Sequence, residues 1–90
     1  MDDEDPMTKE DVGRIMARAM RATAGPWSSF VESREGFSGS DFIRTGGEDI
    51  YLTGATVADQ DFIAHARQDI PRLVTEVERL RELLNRSKGR

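Results

Sequence analysis

His65 stands four residues after Asp61 and four before Asp69 in the run D-F-I-A-H-A-R-Q-D. On an unbroken helix that spacing sets all three on one face, and an imidazole flanked by carboxylates is suited to general-base chemistry or to a pH-sensitive contact. A small hydrolase built on His65 would also need a nucleophile, and no motif sets a serine or threonine beside it. Charged residues on the outer side of a helix account for the same pattern more simply.

A second candidate chemistry is phosphate binding. Arg14, Arg18 and Arg21 make a basic edge on one helical segment, and Arg86, Lys88 and Arg90 make a basic end. Against it stand a net charge of -4 and the lack of a helix-turn-helix pattern, which leave little long-range steering toward DNA. The acidic D-D-E-D cluster near the start lacks the spacing of a calcium loop and reads as a solvated tail. With no cysteine and one histidine, thiolate metal sites and paired-histidine zinc sites are excluded. E-G-F-S-G-S and T-G-G-E contain glycines but match no phosphate-cradling loop, so they read as hairpin turns. No catalytic residue, cofactor or metal is expected, and the chain does not read as an enzyme.

The elements that must position these residues belong to one small domain. Ninety residues bury only about 60 to 65% of the surface that the unfolded chain exposes, so the core is expected to be thin and to lean on packing or on a partner. Residues 1 to 11 carry six acids and one lysine, or -5, and residues 12 to 90 carry 11 acids and 12 bases, or +1. The acidity therefore sits in the tail. Residues 1–6 are expected to be disordered and residues 87–90 to form a basic tail, with the folded domain between them. No secretory leader or apolar span is evident, so the expected location is the cytoplasm, away from membrane.

The order of patterns predicts an α+β fold. Thr8 and Asp11 suit a capping box, Met7 and Val12 a hydrophobic staple, and Val12, Ile15, Met16 and Ala19 recur at helical spacing until Gly25 and Pro26. W-S-S-F-V-E-S-R, D-F-I-R and D-I-Y-L-T then read as a three-stranded antiparallel meander. Trp27, at the junction, is expected to anchor the first helix on the sheet rather than to stack a ligand. Thr56 and Asp59 suit a second capping box, followed by an apolar stripe of Ala58, Phe62, Ile63 and Ala66 that should cover the sheet. Pro71 is expected to break this helix, with Asp69 capping a new one that points elsewhere.

A-T-A-G-P-W, residues 22–27, and A-D-Q-D-F-I-A-H-A-R-Q-D-I-P-R-L-V-T-E-V-E-R-L-R, residues 58–81, bracket most of the chain. Together they resemble a family of small proteins of phages, prophages and actinobacterial genomes, related to the Ead-type early phage proteins. That resemblance implies no enzymatic activity, cofactor or catalytic residue. It implies core positions at Trp27, Phe62, Ile63 and Ala66, and helix-break positions at Arg67, Asp69 and Pro71.

After the proline, Ile70, Leu73, Val77, Leu80 and Leu84 follow a three-four spacing. Ile70, Val77 and Leu84 then take heptad a positions and Leu73 and Leu80 d positions, a pattern that favours two parallel strands. Glu76 falls at g and Arg81 at e, where opposite charges meet across such a dimer. The stripe could instead lie on its own sheet, but Val74 and Leu83 widen it beyond what one thin sheet requires. The leading expectation is a non-enzymatic protein-interaction module that forms a homodimer through this helix and serves another protein partner as well. The alternative is a small regulatory nucleic-acid-binding protein.

Overall fold

The computed structural model describes residues 6–88. Residues 1–5 of the expected acidic tail, and residues 89–90 of the expected basic one, lie outside the described residues. The elements run α1 (Lys9–Arg21), β1 (Ser28–Phe30), α2 (Glu32–Glu35), β2 (Phe42–Arg44) and α3 (Val57–Lys88). The fold is α+β, with one corner of sheet laid against a long helical pair.

Both capping boxes form. Asp11 N donates to Thr8 Oγ1 at 3.0 Å while Thr8 N donates to Asp11 Oδ2 at 2.9 Å. Asp59 N and Thr56 N make the same exchange at 3.0 Å each. Two donors are satisfied at each helix start, which fixes where α1 and α3 begin. α1 ends at Arg21, before the expected stop at Gly25–Pro26, because Ala22 turns extended and its N–H closes on Ala19 O.

The sheet has two strands, not three. β1 and β2 pair antiparallel with Ser29 opposite Ile43 and Phe30 opposite Phe42. Ile50 adds one bridge, exchanging both backbone bonds with Ile43 at 2.9 Å. The strand stops there because Gly46 N donates to Ala24 O at 2.7 Å and Thr45 Oγ1 donates to Glu48 O, folding the link into a tight corner. E-S-R, expected to extend β1, instead forms with Glu35 the short helix α2. Glu35 Oε1 accepts from Val31 N at 2.7 Å, Asp41 Oδ1 accepts from Glu32 N, and Gly36 closes the turn at φ 78°. These local bonds take the donors that a strand would have offered to the ladder.

The largest departure is α3, which runs unbroken through Pro71. Pro71 cannot donate to Arg67 O and its ring crowds that carbonyl, at an intrinsic cost of about 3 kcal/mol. α1 offsets that cost by packing antiparallel along both sides of it. Arg67 Nε donates to Thr23 O at one end of α1, and Arg81 Nη2 donates to Met7 O at the other, each at 3.0 Å. The helix therefore is not interrupted, Asp69 starts no new helix, and Ser87 and Lys88 belong to α3 rather than to a tail.

The core is thin, as the length predicts. Val12, Val31, Ile43, Ala64 and Val74 are its buried apolar residues, and Ile43 is fully enclosed. The side of α3 that meets the sheet is Gln60, Ala64 and Gln68, not the expected Phe62 stripe. Gln60 Nε2 lies 2.9 Å from Ser29 Oγ and 3.2 Å from both Phe30 O and Phe42 O. The whole is elongated, 60 × 30 × 20 Å, with a radius of gyration of 17.4 Å against about 12 Å for a compact chain of this length.

Candidate functional site

His65 does not assemble a catalytic group. It is exposed, and its Nδ1–H donates to Asp61 O, a backbone carbonyl one turn back, at 2.9 Å. The Asp61 carboxylate is turned to Arg34, which grips it at 3.2 and 2.7 Å. That bidentate bond, with help from the Ser29 hydroxyl, holds the Asp61 carboxyl below its ordinary value of 3.8. Among the described residues, no group of three or more His, Asp or Glu side chains is placed to hold a metal ion.

The two basic groups stay apart. Arg18 and Arg21 flank the end of α1 that meets Arg67, whereas Arg86 and Lys88 close the far end of α3, about 30 Å away by helical rise. Arg14 and Arg86 are ion-paired with Asp11 and Glu82, at 2.7 and 3.4 Å. One continuous phosphate-binding stripe is not formed by the described residues.

What the fold does assemble is an apolar face. Because α3 continues through Pro71, the three-four spacing extends back to Ile63 and Ala66 and runs Ile63, Ala66, Ile70, Leu73, Val77, Leu80, Leu84, about 31 Å. Leu73, Leu80 and Leu84 are exposed by 59%, 51% and 58%, and Ile70 and Val77 are half-buried. Phe62, expected in the core, is 74% exposed on the edge of the same face. Beside it lies an open groove of about 320 Å³, with Ile15, Ala19 and Ala22 of α1 on one wall and Ile63, Ala66 and Ile70 of α3 on the other. Trp27, half-buried, ends this groove rather than sitting wholly in the core, and its Nε1–H donates to Thr23 O at 2.9 Å.

α1 covers the e side of the seam. Arg67, Val74 and Arg81 are its e positions. Val74 is buried, and both arginines are bonded to the backbone at the ends of α1. Arg81 thus has a partner within its own chain. Glu76 at g pairs with Arg79 at 2.6 Å, which lowers the Glu76 pKa. Sequence reasoning missed Ile63 and Ala66 as seam residues, and the whole α1 wall. The unbroken three-four spacing carried the first signal, but reading Pro71 as a break concealed it.

The chain matches no family model, no curated protein and no solved structure. Among the described residues, no helix is long and apolar enough to cross a membrane.

Proposed function

We propose that this chain is a non-enzymatic protein-interaction module of the cytoplasm that self-associates through the exposed face of α3. The carrying observation is the row Leu73, Leu80 and Leu84, each more than half exposed at heptad spacing on one continuous helix. Scattered surface leucines need no explanation, but a contiguous apolar strip flanked by charge does. A face about 31 Å long and one helix, about 10 Å, wide, doubled by α1 over about 20 Å of that length, projects on the order of 500 Å², just under the low end of what each partner contributes to a standard interface. The elongated shape supports the same reading, since a thin core leaves apolar surface to be covered by a second copy. The likeness to small phage proteins is compatible with it and supplies no chemistry.

Light scattering on the intact protein and on Leu80→Asp tests this. The expected result is twice the chain mass at micromolar concentration for the intact protein and the single-chain mass for the variant. A monomer at high micromolar concentration rules the reading out, and a dimer untouched by Leu80→Asp places the interface elsewhere.

A further inference from the structure

Resting on that self-association, we infer that the two copies pair in parallel, with Phe62 of each α3 entering the α1–α3 groove of the other and Asp69 set against the other copy's Arg18. In a two-helix seam the side chains at g meet the e flank of the neighbour when the helices are parallel, and meet g when they are antiparallel. Here the g positions are Phe62, Asp69, Glu76 and Leu83. The e flank is already roofed by α1, so in a parallel pair these residues meet α1 of the second copy.

The heights agree. The bonds from Arg67 to Thr23 and from Arg81 to Met7 fix α1 antiparallel to α3, which brings Arg18 level with the stretch from Arg67 to Ile70. Asp69 of a parallel, in-register copy arrives at that level. Two turns earlier, Phe62 arrives where Ala22 and Trp27 close the groove. Among the described residues, the ion pairs are Asp11–Arg14, Arg34–Asp61, Glu76–Arg79 and Glu82–Arg86, so Arg18 and Asp69 stand outside them.

An antiparallel pair has the opposite electrostatics. Its g-to-g contacts set Asp69 and Glu76 of one copy against the same acids of the other, which penalises that arrangement. The apolar g residues Phe62 and Leu83 fit either direction, and the acidic ones decide between them. The product is a four-helix assembly with two α3 helices at its centre.

Two variants carried as separate chains, Arg18→Asp and Asp69→Arg, test the contact. Each homodimer then holds two like-charge contacts, while the mixed dimer holds two opposite-charge ones, so mixing should give a heterodimer on the order of tenfold tighter than either homodimer. Direction is read separately with Leu80→Cys. The chain has no cysteine, so this thiol is the sole one, and a parallel pair sets it beside its own copy at a d position. The expected result is a heterodimer in excess by native mass spectrometry and a disulfide-linked Leu80→Cys dimer under mild oxidation. Loss of either signal in a protein that is still dimeric overturns the parallel contact and leaves self-association standing. An intact protein that stays monomeric removes both.

Discussion

Gln68 holds the backbone of Trp27 from both sides: its Oε1 accepts from Trp27 N at 2.6 Å, and its Nε2 donates to Trp27 O at 3.2 Å. Two residues 41 apart in sequence are thus joined as a strand neighbour would join them, by a side-chain amide standing in for a peptide group. Gln68→Leu keeps the bulk and removes both bonds, leaving a half-buried donor and acceptor without partners. The expected loss is about 1 to 3 kcal/mol, a shift of several degrees in melting temperature for a domain this small. Trp27 is the only tryptophan, so its fluorescence reports the transition directly.

Two glycines should respond with opposite signs. A Cβ on Gly46 would lie 2.7 Å from Ala24 O, a backbone atom with no room to retreat, and Gly46→Ala should cost about 1 to 3 kcal/mol. A Cβ on Gly13, inside α1, meets nothing within 4 Å, so Gly13→Ala should gain about 0.5 to 1 kcal/mol by restricting the unfolded chain. Urea midpoints on the two variants should bracket that of the parent.

Pro71→Ala should stabilise the protein. The substitution restores the donor to Arg67 O and relieves the ring, and against this it frees the unfolded backbone, for a net gain of about 2 kcal/mol. Circular dichroism should show unchanged helix content. A loss of stability, or a loss of helix, would mean that the proline sets a bend the protein depends on.

Asp61 and Arg34 supply the pH dependence. The Asp61 carboxyl is held below 3.8, chiefly by the Arg34 hydrogen bonds, so its contribution is complete above that ordinary value and is lost as pH falls through the lower folded value. The stability difference between the parent and Asp61→Asn should therefore be constant from pH 7 down to about pH 5 and shrink in stronger acid. Both side chains are partly exposed, so the difference should be small and should weaken with salt.

What the sequence made legible was local. Thr8 with Asp11, and Thr56 with Asp59, sit three residues apart and need nothing beyond their own turn, so both helix starts could be read directly. Phe30 and Phe42 could be placed in strands by residue type, and they stack across the pair with ring centres 5.2 Å apart. The elements that misled depend on distant atoms. D-I-Y-L-T falls short of a strand because Gly46 is tied to Ala24, more than twenty residues earlier in the chain.

The candidate face was half legible for the same reason. Leu73, Leu80 and Leu84 follow from spacing alone, yet the helix holding them was expected to break at Pro71, since nothing near the proline reveals that α1 braces it. Phe62, expected in the core, faces solvent while the Gln60 amide is buried, because strand-end carbonyls at Phe30 and Phe42 need a donor more than they need a ring.

Bracing by α1 also turns α3 into a ruler. Beside Pro71 the helix lacks one of its own rungs, and its continuity there is supported by a neighbour whose two ends are fastened at Arg67 and Arg81. A distance measured between probes on either side of the proline should therefore report on α1 as well as on α3: a single narrow value is expected while α1 is docked, and a broader spread when α1 lifts away.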